Sequence, residues 1–292
     1  MATAARRMKR PEVVRNLIVF SDTHCGCRLG LYDPTNATRL DDGGHYQASE
    51  FQAKMWGLWC DFWKVWVPQV TRGEPYDIVH NGDVIDGVHH NSTTQVSQNI
   101  EDQLTIAERV LRPVVERCIR RGGSYYHVRG TAAHVGQSSI YEEQLAKRLG
   151  AKPNRIGQHA RYDLWKRVGG SRGPLVHLMH HIGTTSSAAH EASAVNAEMT
   201  AEFVEAARWK REPPDFVVRS HRHRSIAVDL DSAKGYAAAI VTPGWQGKTP
   251  FAWKVAGARI SEPQFGGVLI RRGDEEFFYR RRVWSVGRSE EE

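Results

Sequence analysis

The chain has 292 residues, 40% of them hydrophobic and 25% charged, with a formal net charge of +7. That length buries one large core, and the balance is that of an ordinary soluble globular protein. No apolar run approaches the roughly 20 residues that cross a membrane, no secretory h-region follows the basic start, and four cysteines are too few for a disulfide scaffold. A cytoplasmic setting is expected, and the basic balance, with a pI near 9.3, suits anionic partners such as nucleotides or nucleic acid.

Residues 1–15 read as a basic arm, rich in Arg and Lys. Leu17 to Phe20 is a short apolar run, predicted as a strand, that ends on Asp22-Thr23-His24. A polar loop covers residues 25–47; its Cys25 and Cys27 have no second Cys or His pair at zinc spacing and read as structural thiols. Residues 49–67 carry Phe51, Met55, Trp56, Trp59, Phe62, Trp63 and Trp66 at helical spacing, which predicts a core-facing helix stopped by Pro68. Asp77 to His80 is the next strand and leads into Gly82-Asp83-Val84-Ile85-Asp86. A helix is predicted over residues 99–121, kinked at Pro113 and closed by Gly122-Gly123. The strand Tyr125 to Val128 then leads to Gly130-Thr131-Ala132-Ala133-His134.

A short helix over residues 140–149 ends at Gly150. Residues 161–168 and 175–179 read as a hairpin whose second strand ends on His180-His181. An Ala- and Glu-rich helix over residues 186–210 is followed by Pro213-Pro214, then by the strand 216–218 and His221-Arg222-His223. Runs at 237–241, 267–271 and 276–284 are predicted to complete a second sheet, and residues 289–292 form an acidic tail. The motifs are spread over most of the chain, so residues 16–288 are expected to form one domain.

Asp and His therefore recur directly after strand-like runs, and in α/β sheets ligands gather at the carboxyl ends of strands. In an extended segment, residues i and i+2 share a face, so Asp22 with His24, and His221 with His223, can each reach one ion. Carboxylates and imidazoles together suit borderline divalent metals. No P-loop, dinucleotide fingerprint or nucleophile elbow is present.

This ordered set resembles the signature of the calcineurin-like metallophosphoesterase superfamily: Asp-x-His, Gly-Asp-x-x-Asp, Gly-Asn-His-Asp/Glu, His, Gly-His-x-His. The resemblance runs from about residue 17 to 224. It implies an α/β fold, a four-layer αββα sandwich of two mixed β-sheets flanked by helices. It implies a metal-dependent phosphoesterase, a phosphodiesterase in preference to a monoesterase, with a dinuclear metal centre and a metal-bridging hydroxide. The two divalent metal ions would be Mn, Fe, Zn or Ni, with Mn favoured.

By the same resemblance Asp22, His24 and His223 serve the first metal, His180 and His221 the second, and Asp83 bridges the two. The third motif departs from the pattern. Thr131 stands where the family has a ligand Asn, and two extra residues precede His134, which would stabilise the transition state or protonate the leaving oxygen. Ser220 replaces the usual Gly. Asp86 is expected to orient a ligand or a helix start, and Arg129, His89, His90 and His181 to contact substrate or support the centre. The altered motif and compact length resemble phage and prophage members of the superfamily. Two other readings stand beside this one: a metal-dependent nuclease on DNA or RNA, and a catalytically impaired binding scaffold on the same fold.

Overall fold

The structure, a computed structural model, describes residues 13–89, 91–183, 188–256 and 262–285. The predicted arm and acidic tail lie almost wholly outside these residues, as do His90 and the expected helix start at Ser186.

The chain is a mixed α/β protein. Its first sheet is built on four parallel strands, β1 (Asn16–Phe20), β4 (Tyr76–Asn81), β5 (Tyr125–Val128) and β6 (Ala160–Arg161). Two further strands, β12 (Gln264–Arg272) and β13 (Phe277–Ser285), add antiparallel on the β1 side. The order is β13-β12-β1-β4-β5-β6. The second sheet has β7 (Asp163–Arg167), β8 (Leu175–Met179), β9 (Phe216–Arg219), β10 (Ile226–Ser232) and β11 (Gly235–Val241), in the order β10-β11-β9-β8-β7. A small ribbon of β2 (Thr38–Arg39) and β3 (His45–Tyr46) lies in the predicted polar loop.

Two of the three late runs thus belong to the first sheet instead of the second. Only 237–241 joins the second sheet, paired with the unanticipated strand Ile226–Ser232. The cause is long-range: β1 is buried on both faces and needs a partner on its free edge, which β12 supplies in the register Leu17↔Ile270.

Side chains alternate across β1 and sort the core. Ile18 and Phe20 face a cluster with Trp59, Trp63, Leu104 and Leu111, from α1 (Glu50–Asp61), its continuation and α3 (Ile100–Arg120). Leu17 and Val19 face the other way, into a cluster with Val176, Leu178, Phe216, Val218 and Ile240 of the second sheet. Val217, Ala239 and Val241 of that sheet then pack on Val195 and Met199 of α6 (Glu191–Arg208).

The first helix starts at a capping box, Ser49 with Gln52. It does not end before Pro68. It widens into a π turn over Phe62–Trp66, where the Val67 amide reaches the Phe62 carbonyl, and continues as α2 (Val67–Val70). Pro68 sits early in that last segment, where a missing N–H does not disturb the ladder. Helix α3 likewise runs unbroken through Pro113, capped at its start by the Asn99 side chain on the Glu101 amide. The remaining helices are a single turn α4 (Ala132–Val135), α5 (Ile140–Arg148) and α7 (Pro250–Ala256).

Phe20 is fully buried and meets Trp59, Trp63 and His80 edge-on at centroid distances of 5.3, 5.5 and 5.0 Å. Phe20→Ala is expected to cost about 3–5 kcal/mol of unfolding free energy in a denaturant titration. A loss under about 1 kcal/mol would contradict this packing.

Candidate metal centre

The predicted Asp and His residues come together at the carboxyl ends of five strands. β1 delivers Asp22 and His24, β4 delivers Asp83 and Asp86, β5 leads to Thr131 and His134, β8 to His180, and β9 to His221 and His223. The strands end in a shared backbone weave: Asp22 N–H donates to the Gly82 carbonyl, His24 N–H to that of Asp83, and Ser220 N–H to that of His180. Asp22, His24, Asp83, His221 and His223 all have positive φ, between 39° and 72°. Such backbone is costly for a residue with a Cβ, and it turns each side chain inward instead of along the sheet. At Gly130 an added Cβ would fall 2.1 Å from Asp83 Oδ1, so only glycine lets this loop close on the carboxylate.

Among the four groups of potential ligands in the described residues, two take in most of these side chains. In the first, His24 Nε2 lies 3.2 Å from His223 Nε2, which lies 3.3 Å from Asp22 Oδ1. In the second, His180 Nε2 lies 3.0 Å from Asp83 Oδ2, and His221 Nδ1 lies 3.9 Å from the same oxygen. His180 Nε2 is also 3.9 Å from Asp22 Oδ1, which joins the groups. Two donors on one tetrahedral ion at about 2.1 Å stand roughly 3.4 Å apart, the spacing seen within the first group. Asp22 Oδ1 and His180 Nε2 are buried and meet ion-pair contacts, with His223 and with Asp83, in place of well-aligned hydrogen bonds. A cation would satisfy both, so the residues present fit one.

The electrostatics agree. Burial disfavours ionised Asp22, yet His223 and His180 hold its carboxyl well below the usual range. Asp83 is depressed in the same way, against its burial, by His180 and His134. His180 Nδ1 contacts the Asn81 carbonyl at 2.7 Å, so that nitrogen must donate and Nε2 faces the carboxylates. Burial works against its cation, but Asp83 and Asp22 prevail and push its pKa up to about 10.

Thr131 joins the second group. Its amide and hydroxyl both donate to Asp83, at 2.6 and 3.1 Å, and its hydroxyl is 3.3 Å from His221 Nδ1. His134 Nδ1 donates to the Asp86 carbonyl at 2.7 Å, and its ring meets those of His24 and His89 edge-on at 4.6 and 4.2 Å. The Asp86 carboxylate lies 3.4 Å from His24 Nδ1 and 3.6 Å from His89 Nε2, and accepts from Gln246 and Gln95, both at 2.9 Å. It thereby orients His24. His181 is exposed, with its ring 4.9 Å from that of His221. The Arg129 guanidinium is buried and spent on structure: it donates to the Ala160 and Ser138 carbonyls at 2.8 and 3.0 Å. Burial pushes the Cys25 and Cys27 thiols up to about 12, unlike metal-binding thiolates.

Three supporting residues escaped the sequence reading: Gln95, Gln246 and Glu142. Glu142, in the first turn of α5, is fully buried. Its carboxylate accepts from the amides of Val84 at 3.2 Å and Gly130 at 2.5 Å, and lies 3.3 Å from His127 Nε2. It ties the loop of Asp83 to the loop of Thr131. His24, Asp86 and His134 form a third group able to reach one ion, and His80, His127 and Glu142 a fourth, but in the fourth the two imidazoles stack at 4.9 Å and 9°, so their lone pairs run parallel and do not converge.

No family model and no curated protein matches the sequence. Among solved structures, 94% of the chain aligns with the whole of a Thermotoga maritima protein solved by NMR, at 10% identity and TM-score 0.36. The same share aligns with the whole of Vacuolar Protein Sorting 29 from Cryptosporidium parvum, at 10% identity and TM-score 0.32.

Two outcomes are expected. His180 is raised in the folded chain, so the stability it contributes is complete below its ordinary pKa of 6.5 and is lost as pH rises through about 10. In metal-free protein its imidazole should titrate by NMR near that upper value, and zinc should abolish the titration by displacing the proton. A metal-free midpoint below about 7 would show that the carboxylates hold no proton there. Glu142→Gln sets an amide N–H against a backbone N–H and should weaken divalent-cation binding about 10–100-fold while circular dichroism stays native. Unchanged affinity would remove Glu142 from the support.

Proposed function

We propose that this chain is a metal-dependent phosphoesterase of the calcineurin-like superfamily, acting on phosphodiesters. The two sheets, with helices on their outer faces, would be its four-layer sandwich, and residues 16–288 its single domain. The observation that carries this reading is the pair of linked Asp/His groups, joined by the 3.9 Å approach of His180 Nε2 to Asp22 Oδ1, with their ligand atoms converging at the strand ends.

Asp22, His24 and His223 would hold one divalent cation, His180 and His221 the other, with Asp83 between them and Thr131 beside it; manganese is favoured. When bound, such ions polarise a phosphoryl oxygen and make a water acidic enough to attack phosphorus.

The protein's own part is to position and to manage protons. The Asn81 and Asp86 carbonyls occupy Nδ1 of His180 and of His134, which leaves Nε2 of each free for other partners. Burial pushes His134 down to about 4, so without substrate it is neutral near pH 7. Its acid role requires an anionic phosphate alongside to raise its hold on a proton. Glu142 and Asp86 keep the loops in register, so that substrate, His134 and ligands meet at fixed distances.

The test is hydrolysis of bis(p-nitrophenyl) phosphate beside p-nitrophenyl phosphate, with Mn²⁺ or with chelator. Diester turnover should need metal and should vanish in Asp83→Asn, which keeps a residue tolerant of the positive φ. His134→Ala should retain bound metal and lose about 10²–10⁴-fold in kcat. Metal bound without turnover of either ester would count against the diesterase reading. Neither metal nor turnover would favour a binding scaffold.

A further inference from the structure

The departure in the third motif has a spatial counterpart. A cavity of about 440 Å³ opens directly beside His134. Its walls include Ile100, Ala132, Ala133 and Tyr141, and the imidazoles of His89 and His134 form its polar edge. No Asp, Glu, Lys or Arg is among the described residues that line it. Ala132 and Ala133 are the two residues inserted between Thr131 and His134.

The wall is firmly built. Gly136 has φ 78°, and a Cβ there would fall 2.5 Å from Tyr141 Cε2, so the Tyr141 ring lies flush on bare backbone. Ser138 and Ser139 follow with φ of 60° and 52°, and the buried Arg129 clamps the Ser138 carbonyl. Left-handed backbone in successive residues persists only where surroundings hold it. The volume lies within the usual small-molecule range, and apolar walls with a few convergent polar groups are the usual make-up of a ligand pocket.

We propose that this cavity is a subsite for a planar, uncharged ring carried by the phosphate ester, an aryl group or a nucleobase. This rests on the phosphoesterase reading, because the phosphate it presupposes sits on the Asp/His centre. Past the two imidazoles on its edge, a phosphate or a charged chain meets no charged side chain in the cavity, whereas a flat ring buries its faces against Tyr141, Ile100 and the alanine methyls and leaves its edge to the imidazoles. The family pattern would place His134 two residues nearer to Gly130; the insertion builds the ring's wall while keeping His134 at the centre.

The test is direct binding, without turnover. Calorimetry would compare phenylphosphonate, an adenosine phosphonate and methylphosphonate on Mn²⁺-loaded protein, on chelated protein, and on Ala132→Leu and Tyr141→Ala. Ala132 is exposed, so the leucine fills the cavity from its mouth without disturbing the core. Ring-bearing ligands should bind about tenfold or more tightly than methylphosphonate. Both variants should erase that preference and leave methylphosphonate within about twofold. Adenosine well above phenyl would identify a nucleotide-type ester, and equal binding an aryl ester. Equal affinity for ring and methyl ligands in wild type, a preference that survives both variants, or no binding of any ligand would overturn the subsite. Loss of the chelator effect with the ring preference intact would instead overturn the metal centre and leave the cavity standing.

Discussion

Asp22 and Asp83 are negative charges buried beneath the ends of two adjacent parallel strands, and burial of this kind is tolerated only when opposite charge is supplied. Without a metal the supply is the His180 imidazolium, which faces both carboxylates, while the His223 ring lies beside Asp22. Every nearby feature serves that compensation. The left-handed turns aim the ligands inward, Gly82 and Gly130 let loops approach, and the Asn81 carbonyl fixes the nitrogen that His180 presents. A proton and a divalent cation would therefore compete for one place.

Support for this arrangement comes from outside the motifs. Glu142 reaches from a helix to two loop amides, and Asp86 is gripped by two glutamines, Gln95 close by in the chain and Gln246 far along it. Such contacts hold the donor atoms in place before any ion arrives, which lowers the cost of assembling the centre. The arrangement also explains how Ser220 is accommodated where the family pattern has Gly: its hydroxyl accepts from Asn81, stitching the β9 turn to the β4 turn.

What could be read from sequence follows physical lines. β1, β4, β8 and β9 were legible because strands buried on both faces leave uninterrupted apolar runs. The Asp and His residues that gather at the strand ends were legible because they stand directly after those runs. β10 was missed because Asp229 and Asp231 interrupt it, as they do in a strand whose outer face meets solvent. The sheet membership of β12 and β13 depends on pairing with β1 across most of the chain, which no local pattern encodes. Glu142 looks like any acidic residue in a helix's first turn, and Arg129 looks like a free phosphate contact until the Ala160 and Ser138 carbonyls close around it.

The π turn at Phe62–Trp66 carries a structural consequence. Such a turn is equivalent to one residue inserted into an α-helix. Deleting a residue there would restore the α register and rotate all that follows by about 100°, swinging Trp66 and Val67 off the core. It would also set Pro68 within a regular ladder, its ring against a carbonyl one turn back. The π turn and the proline thus support each other: removing the extra residue alone would cost both the Trp66 packing and the place of Pro68.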